Sequence, residues 1–136
     1  MKLEMFINLN GNCKEAVELY AKVFKTPVVN LMTYAQMPPD ESYTVPEADK
    51  DRVMYAHLDF SNMALMFMDY PTGSEYVVGN NVQPSIVIES QDELKRIFSE
   101  LKEGGKVHCE PMKTFYAELY AQVEDKFGVC WHLLVV

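Results

Sequence analysis

The sequence predicts an α+β fold: paired βαβββ modules whose curved, mixed sheets surround a concave cavity. Strand, helix and three further strands can be read twice along the chain, with little residue identity between the halves. Both helical segments are amphipathic, and proline or glycine follows each. Single strands do not alternate with helices, as a doubly wound parallel sheet requires. A ferredoxin-like fold, which lays two helices on one sheet, is the structural alternative.

Leu3, Met5, Ile7 and Leu9 alternate with period two, so the first strand has one apolar face. Cys13, Ala16, Val17, Tyr20, Val23 and Phe24 then recur at helical spacing, with Asn12 as N-cap and Glu15 three residues on. Pro27 lies beyond the end of this helix, and PVVNLMTYAQM reads as a strand because β-branched and aromatic residues dominate it. Residues 37–51 carry Pro38, Pro39, Pro46 and a run of acids without periodicity, which marks a loop, either a solvated connection or a lid. RVMYAHLDF and MALMFMD form a hairpin across Ser61 and Asn62, followed by a turn at Pro71 and Gly73.

The second half follows the same grammar. VQPSIVIES reads as a strand, and Ser90 with Glu93 makes a capping box for a helix that buries Leu94, Ile97, Phe98 and Leu101. Gly104 and Gly105 end that helix. KVHCEP, FYAELYAQV and VCWHLLVV, the last after a turn at Gly128, complete the strands. The whole chain, 1–136, is therefore expected to be one domain made of module 1–72 and module 80–136.

Composition narrows the partners. With 49% hydrophobic and 24% charged residues the chain has ordinary globular usage. Its formal charge of −8 opposes binding to a phosphate backbone or an anionic membrane, so neither nucleic acid nor membrane is expected. No apolar run approaches the roughly 20 residues of a spanning helix. The N-terminal MKLEMFINLNGN lacks a secretory apolar core, and a cytoplasmic location is expected. Cys13, Cys109 and Cys130 are too widely spaced for a C-x-x-C pair, so no disulfide framework or structural zinc is expected. Cys13 and Cys130 read as small core hydrophobes. Cys109 adjoins His108, but neighbouring strand residues point to opposite faces, which argues against a reactive pair.

The segment LNGNCKEAVELYAKVF resembles the opening of PhnB-like proteins, in which a short strand leads into G-N-x-x-E-A-x-x-F/Y-Y. DKFGVCWHLLV resembles their D-x-F-G-V-x-W signature. Between them VMYAHLDFSNMALMFMD, the GNN at 79–81 and EPMKTFYAELYAQVED follow in the family's order. The chain is thus similar, over nearly its whole length, to the PhnB-like branch of the vicinal-oxygen-chelate (glyoxalase/bleomycin resistance/dioxygenase) superfamily. It departs at Ala117 and Ala121, where relatives often have glycine, and at Leu119, where many have arginine.

That resemblance implies a divalent ion on the concave sheet, held by side chains at positions that fall near Met5, Met66, Gln83 and His132. Two thioethers, an amide and one imidazole suit a hard divalent ion poorly. The expected cofactor set is therefore none, and the site is expected to bind a small apolar or aromatic molecule through Met5, His57, Met66, Gln83, Tyr116 and His132. The alternative is a metal-dependent lyase, isomerase, transferase or dioxygenase using His132, with His57 and a nearby carboxylate as further ligands. His132 reads equally as a hydrogen-bonded core imidazole or as a proton acceptor that orients a ligand. No catalytic residue is assigned. The methyltransferase name that some relatives carry gains no support from a glycine-rich cofactor loop of the dinucleotide type. The resemblance also implies a homodimer, the commonest symmetric assembly.

Overall fold

In the computed structural model, which describes Met1 and residues 3–136, the chain forms two four-stranded mixed sheets. It divides into two compact units, Met1–Tyr76 and Val77–Val136. A ferredoxin-like arrangement is excluded, because each unit has its own sheet and its own helix. Among the described residues no helix is long and apolar enough to cross a membrane.

In the first unit β1 (Met5–Leu9) leads into α1 (Cys13–Val23) and then β2 (Val28–Thr33), β3 (Val53–Phe60) and β4 (Met63–Asp69). The strand order is β1-β4-β3-β2, with β1 parallel to β4 and the other pairs antiparallel. The parallel pair needs a crossover, and α1 is part of it. The helix buries Cys13, Ala16, Val17, Tyr20 and Val23. Tyr20 stacks on Phe67 of β4 at 5.6 Å between centroids, and Phe24 meets Phe60 edge-on at 5.8 Å.

The start of α1 corrects the sequence reading. Asn12 is the N-cap residue but makes no side-chain cap bond; instead Asp69, at the end of β4, accepts from Gly11 N at 2.7 Å and Cys13 N at 3.0 Å. The reason is topological: parallel pairing sets Asp69 opposite Leu9, beside the helix entrance. Its other oxygen accepts from Val53 N at 2.9 Å.

β2 ends at Thr33, four residues before Met37, because the Gln36 side chain takes the Thr33 N–H at 2.9 Å and a short 3-10 turn, Tyr34–Gln36, follows. The 37–51 segment is more than a solvated connection. It contains a second 3-10 turn at Glu47–Asp49, and Asp49 is buried, accepting from Thr72 N at 2.9 Å.

In the second unit β5 (Ser85–Val87) is followed by α2 (Gln91–Leu101), β6 (Lys106–Met112), β7 (Leu119–Glu124) and β8 (Cys130–Val135), in sheet order β5-β8-β7-β6. Ser90 caps α2 as expected, accepting from Glu93 N at 3.2 Å. α2 buries Leu94, Ile97, Phe98 and Leu101. β7 starts later than the sequence suggested, because residues 114–117 form a turn. Its Thr114 hydroxyl accepts from Ala117 N at 3.0 Å, and Thr114 N donates to Ala117 O at 3.1 Å.

The signature at 125–131 is a self-bonded turn. Asp125, 3% exposed, accepts from Phe127 N at 2.9 Å, Val129 N at 3.1 Å and the Trp131 indole N–H at 2.8 Å. Gly128 takes φ +86°, a region open to glycine and costly for other residues. One side chain therefore holds the hairpin and orients the buried Trp131. Asp125→Ala should cost about 3 kcal/mol, three charge-assisted bonds being lost in the interior. Denaturant unfolding followed by the fluorescence of Trp131, the single tryptophan, will measure it.

Candidate functional site

Each sheet has one face against its helix and one open face, and register decides which side chains share a face. In the first unit Phe6 pairs with Met66, Met66 with His57 and His57 with Asn30. These four residues form one row across the open face. Met68 lies opposite Asn8, and Met32 opposite Tyr55. The Tyr55 ring lies 6.4 Å from both Phe6 and His57, edge-on. The face is thus built largely of thioethers and rings. His57 Nε2 is buried without a hydrogen-bond partner.

Met5 does not join this row. It pairs with Leu65, which pairs with Leu58, and both are buried on the face that α1 covers. Phe6 takes the place expected of Met5. The alternation that makes Leu9 a core residue puts Met5 on the core side as well, so the parity was present in the sequence.

In the second unit Ser85 pairs with His132, and His132 with Gln122. Trp131 and Leu133, the neighbours of His132, are fully buried on the α2 side, which turns His132 to the open face. Gln83, just before β5, meets it there: His132 Nε2 lies 2.5 Å from Gln83 Oε1. Gln122 Nε2 also donates to Gln83 Oε1, at 3.1 Å, and to Cys130 Sγ at 3.4 Å. Gln83 Nε2 donates to the Asn80 carbonyl at 3.1 Å, and the Tyr120 hydroxyl meets His132 Nδ1 at 2.8 Å. Burial pushes the phenol of Tyr120 and the thiol of Cys130 above their ordinary pKa values, so both keep their protons. Cys130 is half-buried on the open face, not the core hydrophobe expected.

Tyr116 lies in the 114–117 turn, 50% exposed, its ring 5.9 Å from that of Tyr120. It reaches His132 only through Tyr120, whose ring centroid is 5.9 Å from the imidazole. Tyr120 and Gln122 went unrecognised in the sequence. Their signal was the polar half of the alternation Leu119, Ala121, Val123, obscured by starting the strand at Phe115.

His108 and Cys109 also depart from expectation. Val107 pairs with Val123 but Cys109 with Gln122, so a β-bulge sets two residues against one and brings both toward the same side. His108 Nε2 then reaches Glu124 Oε2 at 3.0 Å. His108, Glu124, Gln122, Gln83, Asn80 and Cys130 line a depression of about 480 Å³ in this unit, its wall completed by Val78, Gly79 and Gly128.

The donor set does not suit a hard divalent ion. Both nitrogens of His132 and the carbonyl oxygen of Gln83 are already engaged, Met66 offers a thioether, and Met5 faces the helix. Among the described residues no three or more His, Cys, Asp or Glu side chains converge as metal ligands.

A family model described as 3-demethylubiquinone-9 3-methyltransferase matches residues 1–134. The chain belongs to this family. It is similar to protein YjdN of Escherichia coli, 27% identical over 145 residues that cover 100% of this chain and 96% of YjdN. Among solved structures, protein PA1353 of Pseudomonas aeruginosa is similar at TM-score 0.87 and 27% identity, with 99% of this chain and 97% of that one covered. The PhnB protein of Bacillus cereus is similar at TM-score 0.80 and 18% identity, with both chains covered completely. The fosfomycin resistance protein FosX of Listeria monocytogenes superposes at TM-score 0.67 and 7% identity, covering 99% of this chain and 92% of its own, which shows a shared fold. The two βαβββ units of this chain thus have the glyoxalase/bleomycin resistance fold, and the resemblance read from the end motifs holds at the level of fold.

Proposed function

We propose that this chain binds a small apolar or aromatic molecule on the open faces of its sheets, without the divalent ion implied for metal-dependent members of its superfamily. The observation that carries this reading is the Tyr120–His132–Gln83 chain, in which the residues at two of the implied ligand positions satisfy each other. A metal at Nε2 would have to displace Gln83 Oε1 and move the imidazole proton to Nδ1, where Tyr120 would have to accept it. Support also comes from the first unit, where Phe6, Met66, Met68 and Tyr55 give an adaptable surface for flat or greasy ligands.

Metal analysis of the purified protein and titration with nickel, zinc, iron and manganese test the reading. Substoichiometric metal is expected, unchanged in His132→Ala. A stoichiometric ion lost in that variant would overturn the proposal in favour of a metal-dependent enzyme. A thermal-shift screen of aromatic and apolar compounds should give hits whose midpoints rise with ligand concentration, as mass action requires. Silence across a broad panel would remove the binding reading as well.

A further inference from the structure

We propose that the depression in the second unit recognises an N–H donor edge on its ligand, an amidinium or similar planar nitrogen group, and rejects oxyanions. The inference deepens the binding reading above and rests on it. It comes from the direction in which the hydrogen bonds of the open face run.

A backbone carbonyl can only accept, so the Asn80 carbonyl fixes the amide nitrogen of Gln83 toward itself and turns Oε1 toward His132. His132 Nε2 must then carry the proton that Oε1 accepts. A neutral imidazole has one N–H, so Nδ1 is the acceptor and the Tyr120 hydroxyl donates to it. Gln122 has two amide hydrogens, and they go to Gln83 Oε1 and Cys130 Sγ; its Nε2 also lies 3.5 Å from His132 Nε2, a contact that brings two N–H groups together once Nε2 carries the proton. Of the strong donors in this network, only the second amide hydrogen of Gln83 is left over.

Acceptors are left over. Among the described residues the Gln122 carbonyl oxygen has no hydrogen-bond partner, and Glu124 keeps one carboxylate oxygen beyond the one that faces His108. Both side chains line the depression of about 480 Å³, whose wall includes Gly79 and Gly128. A planar amidinium entering there meets acceptors on its N–H edge. A carboxylate or phosphonate would meet the Glu124 charge and a carbonyl dipole, in a chain of net charge −8. Geometry and charge favour the same class of ligand.

Benzamidine, benzamide and benzoate have nearly the same shape and differ in the polarity of one end. We expect ¹⁵N-labelled protein titrated with each, in enough salt to screen the net charge, to show benzamidine moving the side-chain amide signals of Gln83 and Gln122 and binding at least about tenfold tighter than benzoate. In Glu124→Gln, at a partly exposed position, the gap should shrink to about twofold. Benzoate binding as tightly as benzamidine, or a gap unchanged in Glu124→Gln, would overturn the donor-edge proposal and leave the aromatic-binding reading standing. If none of the three moves those signals while the wider screen finds ligands, the donor-edge proposal fails alone; if the screen is silent too, both fail. Imidazole ¹⁵N spectra give a ligand-free check: His132 is expected as the Nε2–H tautomer, and the Nδ1–H form would refute the argument.

Discussion

Replacing Asp69 with alanine should lower folding stability by about 4 kcal/mol, one of the two largest losses expected of any single substitution discussed. The carboxylate is 1% exposed and accepts from three backbone N–H groups, on Gly11, Cys13 and Val53. These belong to the helix entrance and to the start of β3, so one side chain ties α1 and β3 to the end of β4. Removing it leaves three donors unpaired, those of Cys13 and Val53 buried and costing about 1–3 kcal/mol each before relaxation. Water reaching the exposed helix entrance will recover part of that cost, which keeps the expected total below the sum. Asp69→Asn is the informative companion: it retains one acceptor oxygen and should cost about half as much. Equilibrium denaturation of the three proteins, with unchanged slopes, would measure it. A loss under about 1 kcal/mol in Asp69→Ala would show that α1 is capped by other means.

Much of the architecture was legible because burial follows period. Leu9, Ala16, Tyr20, Leu94 and Leu101 announced themselves by spacing alone, and the structure buries each of them. Boundaries failed where a side chain bonded locally to the backbone, as Gln36 does at Thr33 and Thr114 does at Ala117. The role of Asp69 was not legible at all. Its partners are 16, 56 and 58 positions away in the chain, and only strand pairing brings them together.

The candidate site was half legible for similar reasons. Gln83 and His132 were named through resemblance, and the structure joins them; Met66 and His57 share a row. Met5 was misplaced by one residue, enough to change faces when side chains alternate. His108 and Cys109 were assigned to opposite faces by the same alternation. A bulge overrides it there, and a bulge is a matter of pairing that no residue in KVHCEP announces.

Gly105→Ala is the second large effect expected, about 3 kcal/mol, and it links fold to site. An alanine Cβ at Gly105 would come within 2.1 Å of Glu124 O and 3.0 Å of two Asp125 backbone atoms. That clash is with backbone, so no rotamer relieves it, and β7 must shift where it carries Glu124. Gly105 therefore matters for close approach, in addition to ending α2 as its sequence position suggested. Because Glu124 lies in β7 with Gln122, and Asp125 orients Trp131, the displacement should reach the depression. The expected signature is a loss of stability together with moved side-chain amide signals of Gln122 and Gln83, while signals from the first unit's sheet stay in place. A variant as stable as the parent, with those amides unmoved, would mean that the approach of β7 to Gly105 is looser than described and that Glu124 is not held from behind.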